Sequence, residues 1–109
     1  MTTTVPWPPP PDLESIRELV RTADPEGHIV EGASPDEYEP EEEAIFGRIA
    51  HLKTGELTAA NMLPLVERVW RDSFGHDHDA IAAVRPALQS LAEQIARFFG
   101  PEATPQTRQ

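Results

Sequence analysis

Residues 24–46 read DPEGHIVEGASPDEYEPEEEAIF, an acidic loop punctuated by Pro and Gly that leads directly into a helix. No Lys or Arg lies between Arg21 and Arg48. The nine acidic residues of the stretch are Asp24, Glu26, Glu31, Asp36, Glu37, Glu39, Glu41, Glu42 and Glu43. The pattern predicts one strongly negative face, held by a helical scaffold built from the rest of the chain. These carboxylates could equally serve only to cap helix starts and solvate the surface, since a charge run is usually a solvated face.

Within this stretch, local chemistry predicts two turns and a helix start. The Asp-Pro-Glu-Gly sequence of residues 24–27 is typical of a β-turn, with Pro presetting φ and Gly closing the turn. Residues 34–38 predict a turn or a single helical turn, because Ser34 can cap and Pro35 suits a first helical position. The next helix is expected to start at Pro40, with acids at its positive end.

Composition limits the classes of function. A chain of 109 residues favours one domain. The formal net charge of −10 disfavours nucleic acid and anionic membrane surfaces as partners and favours a basic protein. The absence of cysteine excludes thiol catalysis and disulfides. No apolar run approaches a membrane span and the N-terminus does not resemble a signal peptide, so we expect a cytoplasmic protein.

Apolar periodicity predicts an all-α domain, a compact bundle of about four helices with a long acidic loop between helices one and two. We expect the helices near residues 12–23, 40–53, 62–73 and 79–99, with Asp12 capping the first. Pro64 favours a start near residue 62 for the third helix, after a short turn at 58–61. Pro86 predicts a bend or an interruption in the fourth. The expected organisation is a Pro-rich arm (1–11), the helical domain (12–100) and a flexible polar tail (101–109).

The Pro-rich arm contains Trp7 followed by four prolines, a composition that favours an extended polyproline II segment. Such an arm could dock into a proline-recognition groove of a partner. Alternatively, Trp7 folds back onto the helices of its own chain, and this second interpretation is the one we favour.

The His-Asp-His-Asp run at residues 76–79 is the one candidate metal cluster in the sequence. It lies between a helix-stopping Gly75 and a helix start, where an Asp is expected as a cap, so we predict no metal site. The acids of residues 24–43 do not match a calcium-binding loop. Since no phosphate-binding glycine loop or serine nucleophile elbow occurs either, we predict no cofactor and no catalytic residue.

The middle of the chain resembles the small bacterial domain-of-unknown-function family 1871. The resemblance rests on Asp-Pro-Glu-Gly at 24–27, Asp-Glu-Tyr-Glu at 36–39, an Ile-Phe-x-x-Ile helix, and Val-Trp-Arg-Asp-Ser-Phe-Gly at 69–75. It covers about residues 13–99 and implies an all-helical fold without an established activity. Some similar domains accompany bacterial toxin systems, so the resemblance implies an immunity or antitoxin-like role. Two departures are the Pro-rich arm and Ala23, where many relatives carry Trp.

Three functional hypotheses follow. The first is a non-enzymatic binding protein whose acidic face, residues 24–43, meets a basic partner such as a nuclease-type toxin by mimicking phosphate charge. Its expected binding residues are Asp36, Glu37, Tyr38, Glu39, Glu41, Glu42 and Glu43, with Tyr38 as the aromatic anchor. The second is a small enzyme or ligand-binding domain with a carboxylate pocket around Asp24, Asp36 and Glu37. In the third, the acidic motif is purely structural.

Overall fold

The computed structural model describes residues 10–103. The first nine residues, which hold most of the predicted Pro-rich arm and its Trp7, lie outside this part. Residues 104–109 of the predicted polar tail lie outside it as well.

The described chain is all-helical, as predicted, and contains no strand. Two short 3-10 helices, Pro35–Tyr38 and Thr54–Glu56, lie in the connections that precede the second and third α-helices. The four α-helices are α1 (Leu13–Ala23), α2 (Glu39–Ile49), α3 (Ala59–Phe74) and α4 (His78–Phe99). Residues 10–103 thus form a four-helix fold, in which α2 ends four residues earlier than predicted.

Three helices begin at side-chain caps. The Asp12 carboxylate accepts the Ser15 amide at the start of α1, as predicted, and Thr58 accepts the Asn61 amide at the start of α3. Asp77 accepts the Ala80 amide at the start of α4. Each such cap satisfies an amide that the first helical turn leaves without a partner, and is worth about 1 kcal/mol.

The predicted start of α3 near residue 62 is wrong, and so is the predicted interruption of α4 at Pro86. α3 begins at Ala59 and includes Pro64, and α4 continues through Pro86 without interruption. Each proline leaves one carbonyl, of Ala60 or Ala82, without an amide donor. Both alanines and both prolines are exposed, so water can satisfy those carbonyls.

Apolar burial explains why these helices tolerate the prolines. Each contributes several wholly or almost wholly buried residues, and burying one large aliphatic side chain stabilises the fold by about 1.5–3 kcal/mol. Several such residues outweigh the ~3 kcal/mol that an interior proline costs. The buried residues are Met62, Val66, Val69 and Trp70 on α3, and Ile81, Leu88, Leu91, Ala92, Ile95, Ala96 and Phe99 on α4.

A single hydrophobic core unites the four helices. α1 contributes Ile16, Leu19 and Val20, and α2 contributes Ile45 and Ile49. Tyr38 and Trp70 are the largest fully buried side chains in it. Since Tyr38 ends the first 3-10 helix, the core reaches into the connection between α1 and α2.

The connection, residues 24–38, is folded into successive turns and the 3-10 helix where the sequence predicts a long acidic loop. The Gly27 amide donates to the Asp24 carbonyl at 2.9 Å, so the β-turn predicted at residues 24–27 is confirmed. The helical turn predicted at residues 34–38 is confirmed as well. This connection carries the residues of the candidate site.

Candidate functional site

Asp24 organises the connection. It follows α1 in the left-handed conformation, with φ 43°, which a non-glycine residue seldom adopts. Its Oδ1 accepts the Ile29 amide at 3.1 Å and the Tyr38 hydroxyl at 2.6 Å, and its Oδ2 accepts the Val30 amide at 3.0 Å. One carboxylate therefore joins the end of α1, the middle of the connection and the entrance to α2. We call this set of contacts the Asp24–Tyr38 clamp.

The clamp fixes the charge states of its two members. Burial opposes ionisation of Asp24, but the hydrogen bonds from Tyr38, Val30 and Ile29 outweigh it and hold the pKa of this carboxyl below its usual range. Burial, followed by the hydrogen bond to Asp24, raises the pKa of Tyr38 far above its usual value. At neutral pH the clamp is thus an anionic carboxylate that accepts a bond from a neutral phenol.

A cluster of rings attaches the connection to the end of α3. We call His28, Tyr38, Trp70, Phe74 and His76 the aromatic cluster. His28 stacks on Tyr38 with centroids 5.4 Å apart and an interplanar angle of 7°. Phe74 lies between the two histidines, with its centroid 6.1 Å from His28 and 5.5 Å from His76. Trp70 packs on both Tyr38 and Phe74.

Glu26 supplies the polar contacts of this cluster. Its Oε2 accepts the Trp70 Nε1 hydrogen at 2.8 Å and lies 2.9 Å from His76 Nε2. The Glu26 amide donates to the Tyr38 hydroxyl at 2.9 Å. Glu26 therefore links the clamp to residues 44 and 50 positions farther along the chain.

The first turn of α2 buries two of its three consecutive glutamates. Glu42 is fully buried and accepts from Arg21, at 3.0 Å from Nε and 3.3 Å from Nη2. Arg17 Nε lies 3.6 Å from the same carboxylate. The two arginines tie α1 to α2, and their side chains remain about one-third exposed, although the Nε of Arg17 is itself buried without a hydrogen-bond partner.

Glu41 is 5% exposed, and its Oε1 has no hydrogen-bond partner. Burial raises the pKa of this carboxyl, while a hydrogen bond with Ser73 and the nearby His28 oppose the rise. The Nδ1 of His28 is also buried without a hydrogen-bond partner. Glu41 is thus a buried carboxyl whose ionised form is disfavoured in the folded protein.

The structure divides the seven predicted partner-binding residues into two groups. Tyr38, Glu41 and Glu42 are buried and belong to the fold. The exposed group consists of Asp36, Glu37, Glu39 and Glu43. None of these four forms an ion pair within residues 10–103.

The carboxylate pocket predicted around Asp24, Asp36 and Glu37 lacks a free Asp24. Both Asp24 oxygens already accept bonds from the clamp, and Asp36 and Glu37 are exposed. Grooves of about 400 and 380 Å³ run along α4 against α3 and α1, and other residues line them. Across the described chain, no three His, Asp or Glu side chains are placed to hold a metal ion. No α-helix in that part is long and apolar enough to cross a membrane.

Sequence reasoning missed Glu26, Trp70 and His76 as one site. No local pattern links them, because their contacts join segments far apart in the chain. It also missed Val30, an exposed large hydrophobic side chain at 84% exposure. The signal available in the sequence is its position between Gly27 and Gly32, since glycines favour turns. In the structure both glycines adopt positive φ.

Comparison with models of known protein families, with curated proteins and with solved structures finds no match to this chain. The resemblance to family 1871 therefore remains an expectation.

Proposed function

We propose that this chain is a non-enzymatic protein-binding domain that presents exposed carboxylates to a basic protein partner. The observation that carries the proposal is the placement of Asp36, Glu37, Glu39 and Glu43. These four acids fall within eight residues, are exposed, and are free of ion pairs within the described part of the chain. Charges of this kind steer a basic partner toward the surface and select it over acidic proteins.

The carboxylates are carried on a fixed support. Tyr38 lies among them in sequence, yet it is buried and bonded to Asp24. Glu42 precedes Glu43 and is anchored to Arg21. A surface held in place before binding loses less conformational entropy when the partner arrives, which favours affinity. The buried members of the predicted site thus support the exposed ones.

The connection also exposes Val30 and Glu31. Both are exposed, and Val30 is held at its amide by the Asp24 carboxylate. Protein interfaces combine an apolar centre with a polar rim. A partner with an aliphatic recess bordered by Lys or Arg would match Val30 together with the carboxylates.

The family resemblance implies the specific form of the proposal, an immunity or antitoxin-like role in which the basic partner is a toxin. In that form the exposed carboxylates take the place of nucleic-acid phosphates in a basic substrate groove. The net charge of −10 is compatible with such a partner.

A structural role for part of the motif is favoured by a separate observation. Asp24, Tyr38 and Glu42 form hydrogen bonds or ion pairs between elements of this chain. These three residues would stabilise the fold in any functional setting. The ligand-pocket alternative requires Asp24 to release its three donors, and no contact of the described residues favours it.

The test compares two charge-matched triple variants. Glu37→Gln/Glu39→Gln/Glu43→Gln removes three exposed acids from the proposed surface. Asp79→Asn/Glu93→Gln/Glu102→Gln removes the same charge from α4 and the residues after it. Each protein captures partners from native cell extract, and mass spectrometry identifies the proteins recovered. Association of the recovered partner is then measured at low and at physiological salt.

We expect the first variant to associate at least about tenfold more slowly than the wild type at low salt, and the control variant to keep most of the wild-type rate. The difference should shrink at physiological salt, where exposed charges are screened over about 8 Å. Equal recovery and equal association rates for the two variants, or no specific partner, would contradict the proposal.

A further inference from the structure

Glu26 and His76 form a half-buried pair that bridges two distant parts of the chain. Glu26 Oε2 lies 2.9 Å from His76 Nε2, and their side chains are 15% and 18% exposed. The connection contributes Glu26, and His76 lies between α3 and α4. Because an imidazole can be neutral or charged, the attraction within this bridge depends on the protonation of one ring.

Trp70 makes the pair observable. Its Nε1 donates to the same Glu26 oxygen at 2.8 Å, so the oxygen that faces His76 also holds the indole. When His76 is charged, Glu26 is drawn to a cation as well as to the indole donor. When His76 is neutral, the attraction between opposite charges is lost, and a hydrogen bond to the Glu26 carboxylate remains only in the tautomer that carries a proton on Nε2.

Glu26 is the carboxylate that His76 contacts, because the acidic residues near His76 in sequence are engaged by other groups. Asp77, the next residue, is engaged as the cap of α4. On α3, Asp72 faces Arg48 and Arg68. The other titratable groups of this region are His28, which packs on Tyr38 and Phe74, and Asp24, Tyr38 and Glu41 around it.

We propose that the Glu26–His76 pair is a pH-sensitive latch that holds the connection against the end of α3, tight when His76 is protonated and looser when it is neutral. The amide of Glu26 donates to Tyr38, and Tyr38 donates to the Asp24 carboxylate that holds the amides of Ile29 and Val30. A change at Glu26 is therefore passed to the segment that carries Val30. The latch is a property of the isolated chain and stands whether or not the proposed partner exists.

The test is a pH titration of the full chain by ¹H–¹⁵N NMR between pH 5.5 and 8. The sequence has two tryptophans, so a Trp7→Phe variant assigns the Trp70 indole resonance. The ring resonances of His76 give the charge of the histidine directly. We expect the Trp70 indole and the Ile29 and Val30 amides to shift with the midpoint of the His76 ring.

The variants separate His76 from the two exposed histidines, His51 and His78. His76→Gln keeps a donor toward Glu26 but cannot become charged, and it should abolish the titration of the Trp70 indole. His78→Gln and His51→Gln change exposed histidines and should leave that titration intact. The wild-type titration alone decides the matter if His76→Gln fails to fold.

Three results would overturn the latch. The Trp70 indole could fail to shift with the His76 ring, or it could follow the midpoint of another histidine. The Trp70 indole could shift while the Ile29 and Val30 amides do not, which would show a local pair without control of the connection. None of these outcomes depends on the association experiment for the proposed function.

Discussion

The pairing of α3 with α4 and the junction of the connection with α2 differ in how far they depend on charged contacts. α3 and α4 meet mainly through aliphatic and aromatic side chains such as Val66, Leu88 and Phe99, with one ion pair between Glu67 and Arg85. The junction is held by carboxylates, with Asp24 on Tyr38 and Glu42 on Arg21. An apolar residue on the inner face of a helix is expected to be buried. An acidic residue can instead be exposed to solvent, or it can be buried in a hydrogen bond or ion pair that joins two elements.

The three consecutive glutamates of α2 show this difference most directly. Glu41 and Glu42 are buried, whereas Glu43 is exposed. Glu42 lies three and seven residues before Ile45 and Ile49, so it falls on their buried face, and Glu41 lies four residues before Ile45. Glu43 is four residues before the exposed Gly47 and shares its outer face. Helical position, and not residue type, decides which carboxylate is available to a partner.

Trp70 belongs to both regions, and its removal should have the largest effect. Trp70→Ala is expected to lower the free energy of unfolding by about 3–5 kcal/mol, because it empties a fully buried site and removes the indole donor to Glu26. Urea unfolding followed by far-UV circular dichroism measures the loss. Trp70→Phe, which keeps most of the packing, should cost less than Trp70→Ala. A loss below about 1 kcal/mol for Trp70→Ala would show that Trp70 supports neither region.

Breaking the clamp should have an intermediate effect. Tyr38→Phe keeps the buried ring but leaves the Glu26 amide without its acceptor and Asp24 with one donor fewer. We expect a loss of about 1–3 kcal/mol at pH 7, measured by urea unfolding.

The effect of Tyr38→Phe should also depend on pH. The lowered pKa of Asp24 means that its stabilisation is present above the pKa of the unfolded chain and is lost as pH falls through the lower folded-state pKa. The difference in free energy of unfolding between the wild type and Tyr38→Phe should therefore become smaller at acidic pH. If this difference stayed constant down to pH 2, the stabilisation by the Tyr38 hydroxyl would not depend on the charge of Asp24.

Glu41 should give the smallest effect, with the opposite sign. Its folded-state pKa is raised by burial, so its ionised form disfavours the folded state at neutral pH. Glu41→Gln should therefore stabilise the protein at pH 7, by less than about 1 kcal/mol. The gain should disappear as pH falls below the folded-state pKa and the wild-type carboxyl takes up its proton. Destabilisation by Glu41→Gln at pH 7 would contradict this expectation, and it would show that the Glu41 carboxylate stabilises the fold as Glu42 does.

Local sequence patterns are sufficient to predict the helical fold, the cap at Asp12 and the two local turns of the connection. These features depend on short-range patterns, namely the spacing of apolar residues and the chemistry of Asp, Pro and Gly. The start of α3 does not follow from local pattern, because the apolar burial that offsets the penalty of Pro64 depends on the packing of the whole fold.

The site was less predictable, because its contacts join distant parts of the chain. Glu26 meets Trp70 and His76 only after α3 packs beside the connection. The burial of Glu41 and Glu42 did leave a signal, since extending the stripe of Ile45 and Ile49 back by one turn reaches both. That signal alone does not predict burial of a charged residue. Burial of Glu42 also needs Arg17 and Arg21 of α1 beside it, and only the folded chain brings them there.

The central claim is that burial divides neighbouring carboxylates into those that hold the fold and those that are free to bind. The most direct measurement is urea unfolding of Glu42→Gln beside Glu43→Gln, two isosteric changes at adjacent positions. We expect Glu42→Gln to lose about 1–3 kcal/mol, because Arg21 loses the anionic acceptor that Glu42 supplies from a fully buried position. Glu43→Gln should stay within about 0.5 kcal/mol of the wild type. Equal free energies of unfolding for the two variants would contradict the division.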